Sequence, residues 1–150
     1  MARFRGTYLY AIDAKGRLSV PTKFRDVIRD EKDAELVITW GRNNKCLSVY
    51  ALSDWESIEE QIDAVEDPDL REAMIHQYIT PSVQVPVDKS GRILIPADFR
   101  EAQDLNKEVM VLGAFNKFEL WNKDRWEAEQ LASQDRVAEA ISQKKVTVRL

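Results

Sequence analysis

The chain has 150 residues, a formal net charge of −4 and an apolar fraction of 44%, which suit one or two small globular domains. It has no apolar run long enough to cross a bilayer and no apolar N-terminal stretch, so neither a transmembrane helix nor a signal peptide is expected. Cys46 is the single cysteine, which excludes an internal disulfide and favours a reducing, cytoplasmic location.

Charge is distributed unevenly along the chain. Residues 1–25 hold six basic side chains against one acidic side chain, whereas residues 54–72 hold nine acidic side chains against one basic. Because local potential decides which surface attracts an anion, the basic segment could meet phosphate while the acidic segment faces away. The acidic residues are equally consistent with ordinary solvated surface helices.

The first half of the chain predicts two hairpins. A tight turn at Ala14-Lys15-Gly16 joins the first pair of strands, and a Gly- and Asn-rich turn at 41–45 joins the second pair. The four strands are predicted over residues 7–13, 17–20, 35–40 and 46–50.

Three helices complete this half. Pro21 suits the first turn of a short helix that carries Phe24 on its apolar face. The capping-box pattern Ser53-Asp-Trp-Glu56 predicts a second helix, and Asp67-Pro68 predicts the start of a third, which ends before Pro81. The apolar face of the second helix consists of Trp55, Ile58, Ile62 and Val65.

The second half repeats this order of elements. A hairpin is predicted over 83–95 about Lys89-Ser90-Gly91, followed by a short helix that begins at Pro96 and by a second hairpin over 109–121. Asn122 is predicted to cap a last helix that begins near Trp126. The residues after 132 are polar and weakly patterned, so they are expected to form a helix or a frayed tail.

One motif occurs twice at a fixed offset. Residues 13–25 and 88–100 share six identical positions, and such an internal duplication implies two copies of one structural unit. The identical pairs are Asp13/Asp88, Gly16/Gly91, Arg17/Arg92, Pro21/Pro96, Phe24/Phe99 and Arg25/Arg100. We therefore place a first repeat with its helices at 1–80, a second repeat at 81–132 and a C-terminal segment at 133–150.

These motifs resemble those of the MraZ family of bacterial transcriptional regulators, which belongs to the AbrB-like, swapped-hairpin DNA-binding group. The resemblance rests on two Asp-x-x-x-Arg motifs and on the stretch Phe115-Asn-Lys-Phe-Glu-Leu-Trp121, in the order that the family shows. It implies an α+β fold in which two tandem β-β-α-β-β-α repeats interleave their hairpins. The result would be one pseudo-symmetric domain with peripheral helices.

The resemblance also implies a function. Members of the family are expected to assemble into rings that bind repeated boxes in promoter DNA, upstream of the division and cell-wall gene cluster that includes their own gene. The implied partners are promoter DNA and further copies of the chain, in the cytoplasm and at the nucleoid. No membrane partner, cofactor, metal or small-molecule substrate is expected.

The candidate DNA-contact residues lie around the two repeated turns. Arg17 and Arg92 come just after the turns, where a guanidinium can contact phosphate or pair with guanine in the major groove. Asp13 and Asp88 can each orient the arginine of their own turn by a charge-assisted hydrogen bond. The candidate set also includes Lys15, Arg3 and Arg5, which would attract phosphate, and Gly16 and Gly91, which support the turns.

The resemblance ranks the two copies. Arg17 matches the family's motif arginine implicated in DNA contact, and Arg92 occupies the equivalent place in the second copy. Because Ser90 stands where the first copy has Lys15, Arg92 is predicted to contribute less to DNA binding.

These assignments have structural alternatives. Each Asp–Arg pair could merely close its hairpin, and the basic residues near the N-terminus could form an ordinary solvated surface. His76 has no neighbouring His or Cys and is not expected to bind a metal, while Cys46 lies in a strand pattern and is expected to be a buried thiol. The four tryptophans are expected to pack in the core or between subunits.

We therefore predict a non-enzymatic, sequence-specific DNA-binding regulator, because the sequence shows no catalytic constellation. The alternative is a self-assembling interaction module, such as a scaffold or an antitoxin-like binder, whose arginines contact protein instead of DNA.

Overall fold

The computed structural model describes residues 3–28 and 35–150. The strands are β1 (Thr7–Ala11), β2 (Arg17–Ser19), β3 (Glu35–Trp40), β4 (Leu47–Ala51), β5 (Val83–Pro86), β6 (Arg92–Leu94), β7 (Glu108–Gly113) and β8 (Phe118–Asn122). The helices are α1 (Thr22–Ile28), α2 (Leu52–Asp63), α3 (Pro68–Met74), α4 (Ala97–Gln103) and α5 (Lys123–Ser142). This order confirms the α+β class and the repeated β-β-α-β-β-α pattern.

Strands of the two repeats interleave in one antiparallel sheet. Its order is β1-β7-β8-β4-β3-β5, so β1 of the first repeat pairs with β7 of the second, and β5 of the second pairs with β3 of the first. At the centre of the sheet, β4 pairs with β8 and Ser48 lies opposite Glu119. A pseudo-twofold axis that relates the repeats therefore passes between these two strands.

The predicted hairpins at 7–20 and 83–95 are wrong in their strand pairing. Both turns form, but β2 pairs with β6 of the other repeat in a separate two-stranded ribbon. Each of these two strands thus pairs with a strand of the other repeat. This is the swapped-hairpin arrangement that the resemblance implies.

The core contains residues of the sheet, the ribbon and both short helices α1 and α4. Phe24 of α1 lies with its ring centroid 5.1–5.4 Å from three aromatic rings, those of Phe4, Phe118 and Tyr8. The equivalent Phe99 of α4 packs against Trp40 at 4.6 Å. Because both phenylalanines are 1% exposed, each copy of the motif supplies one anchor to a shared core.

Helix α2 begins earlier than its sequence pattern indicates. Ala51 occupies the N-cap position and the helix starts at Leu52, so the predicted capping box is wrong because Ser53 lies inside the first turn. The predicted apolar face is confirmed at Trp55 and Ile62, which are each 4% exposed.

The starts of α3 and α5 follow their predicted caps. The Asp67 carboxylate accepts hydrogen bonds from two backbone N–H groups of α3, and the Asn122 side chain accepts one from the Arg125 backbone N–H at 3.0 Å. Helix α5 begins at Lys123 and continues to Ser142. Within the described ranges, no helix combines the length and the apolarity that a bilayer crossing requires.

Candidate nucleic-acid interface

The β2–β6 ribbon has an inward face and an outward face, because successive side chains of a strand point in opposite directions. Leu18 and Ile93 lie opposite each other and are both 1% exposed, so they define the inward face. The outward face, which we call the ribbon face, consists of Arg17, Ser19, Arg92 and Leu94. Its register places Arg17 opposite Leu94 and Ser19 opposite Arg92, so the two arginines lie diagonally on one surface.

Sequence reasoning missed Ser19 and Leu94 as members of this surface. The sequence contained a signal for them, because Ser19 and Leu94 each follow an aliphatic position that the two repeats share. Side chains alternate along a strand, so the residue after a buried aliphatic one lies on the outward face. Leu94 is 54% exposed and is the residue in the second repeat that corresponds to Ser19. The ribbon face is therefore chemically asymmetric, with a hydroxyl on one strand and an apolar side chain on the other.

Asp13 holds Arg17 at two points. Its Oδ1 accepts the Arg17 backbone N–H at 2.8 Å, and its Oδ2 accepts the Nε–H at 2.7 Å. The Nη groups of Arg17 make no hydrogen bond within the described part of the chain, and the side chain is 37% exposed. The pair therefore closes the turn and also orients a guanidinium whose terminal donors remain available.

In the second repeat, the equivalent aspartate and arginine make different contacts. Asp88 Oδ1 accepts the Arg92 backbone N–H at 2.9 Å, but its Oδ2 lies 3.9 Å from the Arg92 Nε. The Arg92 Nη1 lies 3.7 Å from Asp13 Oδ2, and its Nε is buried without a hydrogen-bond partner in the described ranges. Asp13 thus contacts both arginines of the ribbon face, which makes it the shared anchor of the two repeats.

Both aspartates are held in their charged form. The backbone N–H of Arg17 is the main cause that lowers the pKa of Asp13, desolvation opposes it, and the Arg17 guanidinium lowers the pKa further. The backbone N–H of Arg92 lowers the pKa of Asp88 in the same way, with a further contribution from the Ser90 N–H.

These shifts predict how acid affects the turns. A carboxylate with a lowered folded-state pKa stabilises the fold fully above its unfolded pKa of about 4 and loses that contribution as pH falls through the folded value. Asp13→Asn is therefore expected to have a lower free energy of unfolding than the parent at pH 6, and the difference should shrink towards pH 2. Denaturant titrations across this range measure it, with Asp135→Asn on the exposed face of α5 as the control. A difference that grew on acidification would contradict the assigned role of Asp13.

Each turn glycine is covered by an arginine of the other repeat. Gly16 and Gly91 have φ angles of +87° and +77°, which favour glycine. A Cβ at Gly16 would lie 2.6 Å from Arg100 Nε, and one at Gly91 would lie 2.6 Å from Arg25 Nη1. The Nε of each arginine donates to a carbonyl of its own repeat, Val20 at 3.1 Å and Ile95 at 3.0 Å. These contacts give Arg25 and Arg100, which are identical in the two copies, a supporting role that the sequence did not reveal.

Both turns carry an exposed lysine. Lys15 lies in the first turn, where its backbone N–H donates to Asp13 at 3.0 Å. Ser90 makes the corresponding bond to Asp88 at 2.8 Å, and the exposed Lys89 precedes it. The missing lysine at position 90 is thus offset by Lys89, which the sequence placed in the turn but which was not among the candidate contacts.

Arg3 and Arg5 lie away from the ribbon face. They precede β1 whereas Asp13 and Arg17 follow it, and the two ends of a five-residue strand are roughly 13 Å apart. The Arg3 guanidinium carbon lies 4.2 Å from the Phe115 ring centroid, beside the turn that joins β7 and β8. The structure therefore does not bring these two residues together with the other candidates.

The remaining chemistry-bearing residues form no second centre in the described ranges. No group of three or more His, Cys, Asp or Glu residues there is placed to hold a metal ion. Cys46 is buried as predicted, and burial raises the pKa of its thiol to about 12, so the thiolate is scarce at neutral pH. His76 is exposed, with its Nε2 3.9 Å from the Glu72 carboxylate.

Comparison with known proteins gives consistent matches along the chain. The model of the family described as "MraZ protein, putative antitoxin-like" matches residues 3–76 and 79–148. A protein of Yersinia enterocolitica named "Transcriptional regulator MraZ" is 36% identical over 148 residues, which are 98% of this chain and 96% of that protein. A protein of Pseudomonas fluorescens with the same name is 39% identical over 132 residues, 86% of each chain. These relatives are named as regulators, not as enzymes.

Proposed function

The chain belongs to the MraZ family, and from this membership we propose that it is a sequence-specific DNA-binding transcriptional regulator that reads DNA with the ribbon face. The observation that supports this most strongly is the outward pair of arginines on a two-stranded ribbon. The major groove of B-DNA admits such a ribbon, and arginine pairs bidentately with guanine there. The hydroxyl of Ser19 can hydrogen-bond to a base edge, and Leu94 offers an apolar surface for a thymine methyl group.

The charge of the ribbon suits a surface that binds DNA weakly by itself. Arg17 and Arg92 are opposed by Asp13 and Asp88, so these four groups sum to zero, and Lys15 and Lys89 in the turns supply the positive excess. Few phosphate contacts per protomer give weak non-specific binding. Tight binding then needs several protomers on one DNA, each adding affinity through effective concentration.

We propose that the chain assembles into a ring that binds repeated promoter boxes upstream of the division and cell-wall gene cluster, including its own gene. Such a complex would be cytoplasmic and nucleoid-associated. The names of the relatives support gene regulation, while the boxes, the cluster and the ring come from the family resemblance. Exposed apolar residues of α5, Val137 at 54% and Ile141 at 56%, offer surface for contacts between copies.

A salt titration tests the proposal directly. We expect tighter binding to a DNA fragment from upstream of the chain's own gene than to random DNA of equal length. Both affinities should fall as salt rises, with a slope of about −0.9 in the log–log plot for each neutralised phosphate. Equal affinity for the two fragments at every salt concentration would favour the interaction module whose arginines contact protein.

Assembly is expected to precede tight binding. Sedimentation of the free chain should show a species well above the protomer mass of 17.3 kDa. Each correctly spaced additional box should raise the affinity more than an isolated box does, because the second contact is intramolecular. If the chain were a monomer that bound a single box as tightly as an array, this mechanism would be wrong, and the chain would be a simple one-site DNA binder.

A further inference from the structure

The pseudo-twofold axis relates two clefts on the sheet that the proposed DNA contacts do not involve. The first cleft lies between β3, β4, α2 and the end of α3, and the second lies between β8, α5 and the turn that joins β3 to β4. Their volumes are about 470 and 530 Å³, within the range of small-molecule sites. Each contains an aromatic pair at equivalent repeat positions, Tyr50 with Trp55 and Trp121 with Trp126.

The second cleft contains carboxylates as well as cations: Glu119 and Glu129 line it together with Lys45, Arg136 and Arg42, the last of which also lines the first cleft. Lys45 reaches across it, and the Lys45 Nζ lies 3.1 Å from Glu129 Oε2 on α5. The Trp121 indole N–H also donates to the Glu119 carboxylate at 3.0 Å. Two carboxylates of this cleft therefore already pair with groups of the cleft itself, and both would repel a bound anion.

The first cleft has the same framework with a different charge balance. Ile58 occupies the position on α2 that Glu129 occupies on α5. Among the described residues that line the cleft, the two charged ones are Arg42 and Lys117. The Lys117 Nζ lies 5.9 Å from the Tyr50 ring centroid, and its nearest carboxylate oxygen, on Glu119, is 4.0 Å away. This cleft therefore combines a cation with loose pairing and an aromatic wall, in a chain whose net charge is −4.

We propose that the first cleft binds a small planar anion, an aromatic ring that carries one carboxylate or phosphate group. The ring would lie against Tyr50 and Trp55, and the anionic group would pair with Lys117 and Arg42. An aromatic wall with a few placed polar groups is the usual composition of a ligand site, and a partly desolvated lysine strengthens a charge-assisted hydrogen bond. The site would give the chain a ligand-binding activity independent of its DNA contacts.

Calorimetric titration of the full-length, assembled chain with matched probes tests this inference. The probes are 2-naphthoate, 2-naphthyl phosphate and the neutral 2-naphthamide. We expect one site per chain for the anions, with 2-naphthamide at least about tenfold weaker, because it lacks the charged hydrogen bond. The ratio of the two anion affinities identifies whether carboxylate or phosphate is preferred.

Three variants locate the site. Lys117→Gln is expected to weaken 2-naphthoate binding about tenfold while leaving 2-naphthamide binding unchanged. Ile58→Glu, which places a carboxylate as in the second cleft, should abolish anion binding. Lys45→Gln, the matched control in the second cleft, should leave both affinities within about twofold, below the cost of one hydrogen bond.

Several results would overturn the proposal. The first is equal affinity for 2-naphthoate and 2-naphthamide, and the second is no binding by the assembled chain. The third is that Lys45→Gln loses anion binding while Lys117→Gln keeps it. Absence of binding in the ring with binding by dissociated protomers would show that a second copy of the chain covers the cleft. If Ile58→Glu does not fold, the Lys117→Gln comparison decides by itself, since the Lys117 side chain is partly exposed, at 24%, and not part of the core.

Discussion

Arg17→Ala is expected to reduce affinity for the promoter fragment by about fivefold to 150-fold per contacted box, because one bidentate arginine–guanine pair contributes about 1–3 kcal/mol. The reason lies in the turn, where Asp13 fixes the Arg17 Nε at 2.7 Å and leaves the terminal donors exposed. The binding curves are measured by fluorescence anisotropy at one fixed salt concentration. Folding and assembly should stay intact, since the aliphatic core beneath the ribbon is unchanged.

A charge-matched control separates contact from general attraction. Arg149→Ala removes the same charge from the exposed C-terminal tail and should change affinity far less. Arg92→Ala should give a smaller loss than Arg17→Ala, because Asp88 does not hold the Arg92 Nε within hydrogen-bond distance. A larger loss of affinity for Arg92→Ala would reverse this ranking. An unchanged affinity in folded Arg17→Ala would show that Arg17 does not contact the DNA.

Phe24→Ala is expected to lower the free energy of unfolding by about 3–5 kcal/mol, the usual cost of removing a buried phenylalanine ring. Phe24 is 1% exposed and joins helix α1 to three aromatic rings of the sheet side of the core. The loss is measured by urea denaturation at one fixed protein concentration, because assembly makes apparent stability depend on concentration.

The pseudo-symmetry supplies a matched comparison. Phe99→Ala removes the equivalent anchor, which packs against Trp40, and should cost a similar amount. Leu131→Ala on α5, where the side chain is 65% exposed, should stay within about 0.5 kcal/mol of the parent. A loss below about 1 kcal/mol for Phe24→Ala would show that the ring cluster does not anchor the core.

Most elements could be predicted from the sequence because their signals are local. Strand β3 has the predicted bounds at 35–40, because the run Glu35-Leu-Val-Ile-Thr-Trp40 is rich in the residue types that favour a buried strand. The Asp67 and Asn122 caps depend on bonds to backbone groups within the next three residues. The capping box at Ser53 failed because a good local pattern does not fix where the preceding strand β4 ends.

The candidate site was predicted in part. The paired turns, their glycines and the Asp–Arg spacing belong to a thirteen-residue motif, so the repeat identified them. The roles of Arg25 and Arg100, the contact of Asp13 with Arg92, and the contrast between the two clefts join residues far apart in sequence. No pattern within one motif contains these contacts.

The sequence by itself determined the repeat, the order of strands and helices, and the resemblance to the family to which the chain belongs. The tertiary structure decided that β2 pairs with β6 and not with β1, which brings both arginines onto one surface and places Asp13 between them. The physical reason is that every strand offers the same backbone donors and acceptors. The choice of partner therefore depends on which arrangement buries the apolar faces of both repeats together, and that is a property of the whole core.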